Sequence, residues 1–226
     1  MAGVTKAPLR VAVLISGRGS NLRALLEACA EPGFPARIVL VIANRPDAAG
    51  LVVARQHGIA TQVIEHRGFA RRQDFDDALD RALSEAAAEL VCLAGFMRIL
   101  GAGFVRRWRD RLINIHPSLL PAFPGLDTHA RALAAGVRLA GCSVHFVRAE
   151  TDNGPIIIQA AVAVTPSDTP ETLAARVLAE EHRCYRAALR WIAEGRVRVV
   201  DERVSIDRAE FPPCALVSPR DGVPGG

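Results

Sequence analysis

The sequence of 226 residues predicts an α/β fold, a Rossmann-like, mostly parallel open sheet with flanking helices and an antiparallel hairpin added in the C-terminal half. Apolar strand patterns alternate with helix patterns through the first half, which is typical of a parallel sheet. Two later apolar runs, 141–147 and 156–164, have no helix between them, which indicates a hairpin. Unusual loops follow three of the strands, which predicts a site at one sheet edge.

Apolar periodicity and turn residues place the elements. In the first half the predicted strands cover 9–15, 38–43, 61–64, 90–93 and 112–115, and the predicted helices cover 22–30, 48–57, 73–88 and 104–108. After Gly125 we expect a helix over 129–135, the hairpin, a long helix over 169–194 and two short strands within 196–206. We predict a single domain over 1–206, with halves at about 9–112 and 113–206, and a disordered or loosely docked tail over 207–226.

The composition argues against several classes of protein. Half of the residues are hydrophobic, 23% are charged and the formal net charge is only +4, as in ordinary globular chains. Basic residues are scattered without aromatic interleaving, so we expect no nucleic-acid partner but a pocket for anionic small molecules. The five cysteines show no paired spacing, and no apolar run suits a signal peptide or a membrane span. We therefore expect a cytoplasmic protein with free thiols and no membrane association.

A glycine turn joins the first strand to the first helix. Gly17 and Gly19 let the backbone approach an anion, and Ser20 and Asn21 follow at the helix start, where amide groups favour negative charge. The third glycine of a dinucleotide fingerprint is replaced by Leu22, and there is no Walker loop. A single phosphate monoester therefore fits better than NAD or FAD. The alternative is a tight turn that only needs glycines.

Asn114 and His116 stand two residues apart at the end of the fifth strand, so their side chains project to the same side. Three prolines follow, Pro117, Pro121 and Pro124, and they prevent continuation as helix or sheet. A hydrogen-bond donor and a proton carrier held by a rigid loop at this edge indicate a catalytic floor. The alternative is a capped strand end with a satisfied histidine.

Asp152 lies in the predicted hairpin loop, in an Asp-Asn-Gly stretch that is also good turn chemistry. A carboxylate brought near His116 would favour imidazolium, and with Asn114 the three groups could polarise a carbonyl, stabilise an oxyanion and relay a proton. No activated nucleophile is evident, so direct attack by a bound amine fits best. The spacing of His116, His129 and His145 matches no common zinc pattern, so we expect no metal.

Several of these motifs resemble those of the phosphoribosylglycinamide formyltransferases, which are folate-dependent enzymes of purine synthesis. The resemblance runs from Val11 to about Arg198 and rests on five segments in order: ISGRGSNL, LAGFMRIL, INIHPSLLP, SVHFV and DNGP. It implies transfer of the formyl group of 10-formyltetrahydrofolate to the amine of 5-phosphoribosylglycinamide in de novo purine (IMP) biosynthesis. Amine attack would form a tetrahedral intermediate. The sequence leaves open whether the protein is a monomer or a homodimer.

The resemblance also implies roles for individual residues. The catalytic residues would be Asn114, His116 and Asp152. Phosphoribosylglycinamide would be bound by Gly19, Ser20, Asn21 and Glu181, and formylfolate by Arg72, Met97, Arg98, Ile99, Leu100, Asn114 and Val147. The loop 147–152 would close over the pteridine. Without the resemblance, Glu181 would be a solvated helix acid, and the apolar residues would be ordinary packing.

Two departures from the family and three rival functions bear on this interpretation. Arg18 stands where the family often carries a small polar residue, and it could add charge to the phosphate site. Asn153 stands where glycine is common, and Asn tolerates positive φ better than most residues. A formyltetrahydrofolate hydrolase would carry an N-terminal regulatory domain, for which the eight residues before the first strand leave no room. A methionyl-tRNA formyltransferase would carry a C-terminal RNA-binding barrel, whereas this chain stops soon after residue 206. The rival from another class is a phosphate- or nucleotide-binding module without catalysis.

Overall fold

The computed structural model describes residues 7–213 and 215–219. The strands are β1 (Leu9–Ile15), β2 (Ala36–Ala43), β3 (Thr61–Val63), β4 (Leu90–Leu93), β5 (Leu112–His116), β6 (Leu139–Phe146), β7 (Ile156–Ala163), β8 (Val197–Val200) and β9 (Arg203–Ile206). The helices are α1 (Ser20–Ala30), α2 (Gly50–Gln56), α3 (Arg72–Glu85), α4 (Ala102–Arg107), α5 (Thr128–Ala134) and α6 (Pro170–Ala193).

The first seven strands form one sheet in the order β3-β2-β1-β4-β5-β6-β7, and β8 and β9 form a separate hairpin. Strands β1 to β5 pair in parallel, whereas β6 pairs antiparallel with both β5 and β7. The predicted α/β fold with its added hairpin is therefore confirmed. From β1 the chain first adds β2 and β3 on one side of the sheet and then adds β4 and β5 on the other side. At such a switch point, a crevice is expected at the carboxyl ends of the two adjacent strands, here β1 and β4.

The alternating side chains of β1 enter two apolar cores, one on each face of the sheet. Val11 and Val13 pack on the face covered by α1, α2 and α6, and Ala12 and Leu14 pack on the face covered by α3 and α4. All four side chains are fully buried, as expected for a central strand of a parallel sheet. The sheet is thereby fixed from both sides, and its carboxyl edge becomes a rigid platform.

The middle of helix α6 reaches the site edge of the sheet. Its first turn is closed by Thr169 in a capping box, with Pro170 at the first helical position, so the predicted span of 169–194 is confirmed. Further along, the hydroxyl group of the buried Tyr185 donates to the carbonyl groups of Leu93 and Ile113, at 3.0 and 3.3 Å. This contact ties α6 to β4 and β5, whose carboxyl ends carry candidate site residues.

Most differences from the prediction are small. The second helix begins at Gly50 rather than residue 48. The segment 67–72, which the sequence predicts to be a basic loop, includes part of a 3-10 turn over His66–Gly68. Part of the predicted tail, namely 214 and 220–226, lies outside the described residues, and so does Cys214. In the part of the chain that the structure describes, none of the helices could cross a membrane. The single domain over 1–206 and the loose tail stay predictions.

Candidate active site

The glycine turn after β1 is held against the start of α2. Gly19 has a φ of +78°, and a Cβ atom there would lie 2.7 Å from Cα of Gly50. Gly50 donates its backbone N–H to the carbonyl oxygen of Gly17 at 3.1 Å, and its own Cβ would lie 2.6 Å from Cδ1 of Ile15. Both glycines are therefore required by close packing. Gly50 was not predicted, because its partner loop is distant in sequence.

Ser16 connects three loops of the sheet edge. Its hydroxyl group donates to Oδ1 of Asn44 at 2.6 Å and accepts the backbone N–H of Met97 at 2.8 Å. Ser16 and Asn44 are both buried. The loops after β1, β2 and β4 are thus joined by hydrogen bonds, and no local pattern in the sequence predicts this network.

A cavity of about 770 Å³ opens where these loops meet. It runs from the glycine turn across the ends of β2 and β3 to the loop after β4, and its lining includes Arg18, Arg67 and Arg98. The guanidinium groups give the cavity positive charge, and the start of α1 adds backbone N–H groups. The cavity therefore suits an anionic ligand larger than phosphate alone.

The structure brings Asn114, His116 and Asp152 together at the end of β5, on the same sheet edge, although none of the three lines this cavity. Nδ1 of His116 lies 3.4 Å from Oδ2 of Asp152, and the histidine side chain is almost fully buried. Nε2 of His116 lies 3.0 Å from the carbonyl oxygen of Phe123. Because a carbonyl only accepts, Nε2 carries hydrogen, and Nδ1 is the nitrogen that faces the carboxylate. The loop after β5 therefore fixes both the ring orientation and the tautomer of His116.

A second buried histidine holds Asn114. His145 lies opposite Asn114 in the β5–β6 pair, and its Nε2 lies 3.3 Å from Nδ2 of Asn114. Its Nδ1 faces the carbonyl oxygen of Phe146 at 3.0 Å, so Nδ1 donates and Nε2 accepts. Burial lowers the pKa of His145, which favours this neutral form. His145 entered the sequence analysis only as a possible metal ligand, and its contact with Asn114 was missed.

Asp152 lies in the loop that joins β6 to β7, and contacts hold both its carboxylate group and the start of this loop. Its Oδ2 accepts the backbone N–H of Gly125 at 2.8 Å. The positive φ in this loop falls on Asp152, at +53°, rather than on Asn153, where family glycines had suggested it. At the start of the loop, Arg148 forms ion pairs with Asp110 at 2.7 Å and Glu202 at 2.6 Å. The β8–β9 hairpin therefore anchors the loop that carries Asp152.

A buried hydroxyl group braces the proline loop behind His116. Ser143 donates to the carbonyl oxygen of Ser118 at 2.7 Å and accepts the backbone N–H of Leu120 at 3.0 Å. The amide group of Gln159 donates to the same hydroxyl group at 2.8 Å. The loop is thus held by hydrogen bonds from β6 and β7 as well as by its prolines.

The loop after β4 exposes apolar side chains beside the cavity. Met97 and Ile99 are 64% and 65% exposed, so both offer apolar surface to a ligand. Nε of Arg72 donates to the carbonyl oxygen of Ile99 at 2.9 Å and steadies the loop. Arg98 is exposed, whereas Leu100 is buried in the core and Val147 is half-buried. The predicted folate residues therefore divide into surface and core positions.

Glu181 is buried rather than solvated. Its Oε2 accepts a hydrogen bond of 2.7 Å from Nδ2 of Asn21, so α6 reaches the glycine turn through this carboxyl group. Burial raises the pKa of Glu181, and the hydrogen bond from Asn21 partly offsets that rise. The alternative of a solvated helix acid is wrong.

Fold and site together are those of an α/β enzyme with polar side chains gathered at the carboxyl edge of its sheet, near a glycine turn that opens a helix. The chain belongs to the formyl transferase family, which matches residues 9–189. The resemblance seen in the sequence motifs is thereby confirmed.

Two curated relatives differ greatly in length. The trifunctional purine biosynthetic protein adenosine-3 of Gallus gallus is 51% identical over 191 residues, which cover 84% of this chain but only 19% of that protein. The chain thus spans about a fifth of that relative. The phosphoribosylglycinamide formyltransferase of Escherichia coli is 43% identical over 205 residues, which cover 91% of this chain and 97% of that one.

Solved structures share the whole architecture. Glycinamide ribonucleotide transformylase 1 from Symbiobacterium toebii superposes with a TM-score of 0.86 at 48% identity, covering 88% of this chain and 94% of that one. A formyltetrahydrofolate deformylase from Burkholderia mallei superposes with a TM-score of 0.81 at 30% identity, covering 90% of this chain and 71% of that one. The fold is thus shared by a transferase and a hydrolase of formyl groups.

Proposed function

We propose that this chain is a phosphoribosylglycinamide formyltransferase of de novo purine biosynthesis. It transfers the formyl group of 10-formyltetrahydrofolate to the amine of 5-phosphoribosylglycinamide. The observation that carries the proposal is the cluster of Asn114, His116 and Asp152 at the end of β5, on the same sheet edge as the glycine turn after β1 and the exposed apolar loop after β4. Each of the two substrates thus has a surface of matching chemistry.

The phosphoribosyl substrate is bound at the start of α1. The backbone N–H groups of Gly19, Ser20 and Asn21 hold its phosphate, because the first N–H groups of a helix have no partner within it. Glu181 receives hydrogen bonds from the ribosyl glycinamide part. The closeness of Asn21 and Glu181 supports one continuous site, since a 2.7 Å hydrogen bond joins them.

The folate co-substrate is bound at the loop after β4. Met97 and Ile99 offer exposed apolar surface to its flat ring, and Arg72 and Arg98 offer positive charge to its carboxylate groups. Leu100 supports this loop from the core, and Val147 borders it from the loop 147–152, which closes over the pteridine. The amide group of Asn114 also contacts this substrate. Exposed apolar side chains next to arginines suit a co-substrate that carries both a flat ring and carboxylate groups.

The reaction is direct attack of the amine nitrogen on the formyl carbon. The oxygen that becomes negative is bound by the free Nδ2 hydrogen of Asn114, and the positive charge of protonated His116 stabilises it. The new C–N bond forms, the bond between the formyl carbon and the folate nitrogen breaks, and one proton passes from the amine to that nitrogen. Asp152 stabilises the imidazolium and assists the proton transfer through water. His145 keeps the Asn114 amide in the required orientation.

A formyltetrahydrofolate hydrolase is the second candidate, because the deformylase likeness covers 90% of this chain. Water would then replace the amine as nucleophile at the same three side chains. A methionyl-tRNA formyltransferase and a non-catalytic binder have no observation in their favour.

Folate absorbance followed with and without phosphoribosylglycinamide tests the proposal. We expect turnover that requires the amine, and a loss of about 10³-fold in His116→Ala, because general acid–base groups contribute about 10²–10⁴-fold. His57→Ala, at an exposed histidine in the turn after α2, is the matched control and should keep full activity. Turnover that ignores the amine would assign the chain to the hydrolases. Full activity in folded His116→Ala would remove the catalytic role.

Three further expectations stay predictions. The protein acts in the cytoplasm, where free thiols such as those of Cys29 and Cys92 are kept reduced. It works without a metal ion. It is a monomer or a homodimer, which light scattering across protein concentrations would decide.

A further inference from the structure

The side chain of Asn21 has a different partner from its backbone. Asn21 is the second residue of α1, and its amide group reaches across to α6, a separation of 160 residues in sequence. There its Nδ2 donates to Oε2 of Glu181 at 2.7 Å, and the two residues are 8% and 7% exposed. Within the described residues, the carboxyl group of Glu181 has no other hydrogen bond. The orientation of this buried carboxyl group therefore depends on Asn21.

The backbone N–H and the side-chain oxygen of Asn21 differ in their suitability for binding an anion. Its backbone N–H lies in the first turn of α1, where it has no helical acceptor and is free for an anion. Its Oδ1 is buried without a hydrogen-bond partner in the described structure. An amide oxygen is an acceptor and repels phosphate oxygens, and one of the two Nδ2 hydrogens is already used by Glu181, so the side chain suits phosphate less well than the backbone N–H does.

We propose that the Asn21 side chain is a positioning group for Glu181, and that only the backbone of Asn21 binds the substrate phosphate. The inference rests on the proposed function, since it concerns how the amine substrate is held. The Nδ2–H hydrogen bond keeps one carboxylate oxygen of Glu181 fixed. The other oxygen is thereby directed to donors of the substrate, such as hydroxyl or amide N–H groups. Asn21 thus affects the binding of the sugar part through Glu181.

The charge of Glu181 is part of this arrangement. Burial favours the neutral carboxyl group, whereas donation from Asn21 favours the carboxylate. The other titratable groups facing Glu181 are the thiols of Cys142 on β6 and Cys184 on α6. Contact with Cys184 and burial raise the pKa of the Cys142 thiol well above its ordinary value, so it stays neutral. Removal of the Asn21 amide should therefore raise the pKa of Glu181 further.

Steady-state kinetics of Asn21→Ala from pH 5.5 to 8.5 test the proposal. We expect the KM for phosphoribosylglycinamide to rise about tenfold at neutral pH, as for loss of a hydrogen bond to a charged group. The increase should be larger at low pH, where Glu181 becomes neutral. The KM for formylfolate and kcat should change less than twofold. Arg23→Ala, at an exposed position of the same helix, is the matched control.

Two further measurements separate Glu181 from the phosphate. In the double variant with Glu181→Gln, Asn21→Ala should add little to the KM increase, because both changes remove the same interaction. With the phosphate-free glycinamide riboside, the penalty of Asn21→Ala should persist. A penalty that disappears with this substrate, or penalties that multiply in the double variant, would overturn the proposal.

Folding is monitored by circular dichroism, and Asn21→Ser serves if Asn21→Ala fails to fold. Its hydroxyl group can still donate, so we expect partial recovery of the KM and of its pH profile. A pH profile unchanged from that of the parent in either folded variant would also contradict the proposal. The parent enzyme is assayed first with phosphoribosylglycinamide. Absence of amine-dependent turnover there would refute the proposed function itself, whereas the tests above concern Asn21 alone.

Discussion

Replacement of Gly19 by alanine tests whether the anion-binding turn depends on backbone packing. An L-residue in the left-handed region costs about 1–2 kcal/mol, and the reduced entropy of the unfolded chain offsets about 0.4–1 kcal/mol of that cost. The new Cβ atom would also lie 2.7 Å from Cα of Gly50, and overpacking of this kind costs about 1–3 kcal/mol. We therefore expect Gly19→Ala to lower the free energy of unfolding by about 2–4 kcal/mol.

Gly33 provides a matched control. It has the same φ of +78°, but a Cβ atom there would meet nothing within 4 Å, and it lies in the loop before β2, away from the site edge. Gly33→Ala should thus cost only about 1 kcal/mol, the backbone part of the effect. Urea unfolding measures both free energies, and steady-state kinetics measures the KM for phosphoribosylglycinamide, which should rise only in Gly19→Ala.

Equal destabilisation by the two substitutions would refute the packing argument, because it would leave only the backbone cost. An unchanged KM in folded Gly19→Ala would show that the turn does not bind the phosphate. A KM increase in Gly33→Ala would mean that the kinetics report general destabilisation rather than the turn.

Two other carboxyl groups give further predictions. Burial raises the folded-state pKa of Glu181 above the ordinary 4.5, so its contribution to stability is present below that pH and is lost as pH rises through the folded value. Glu181→Gln has no ionisable group at this position, so its melting temperature should exceed that of the parent at pH 8 and equal it near pH 4. The same pH-dependent change in melting temperature in Glu180→Gln would contradict the attribution of the effect to the buried Glu181. Glu202→Gln weakens the ion pair at the start of the catalytic loop and should lower kcat roughly threefold, with no change in Asp201→Asn. In 1 M salt the parent should approach the Glu202→Gln rate, and a salt-independent difference would contradict the ion-pair explanation.

The sequence predicts elements well where local chemistry defines their ends. Helix α6 was bounded to within one residue because Thr169 and Pro170 open it and Gly195 follows it. The β6–β7 hairpin was predicted because no helical pattern separates its strands. Asn114 and His116 were expected on one side because alternation in a strand is a local property.

Contacts between distant segments were not predictable from local pattern. The approach of Asp152 to His116 came from the family resemblance, since its 36-residue separation leaves no periodic signal. Gly50 is required only because another loop packs against it. His145 could have been found by pairing β5 with β6, but the register of that pair depends on the intervening loop and helix.

The ion pair between Arg148 and Glu202 affects where a functional fragment can be cut. The family match ends at residue 189 and includes every proposed catalytic side chain. It omits the β8–β9 hairpin, whose Glu202 holds the first part of the loop that carries Asp152. A fragment trimmed to the match would keep the proposed catalytic side chains and lose an anchor of the loop that carries Asp152. For fusion, transplantation or expression of this module, the practical unit extends at least through Ile206.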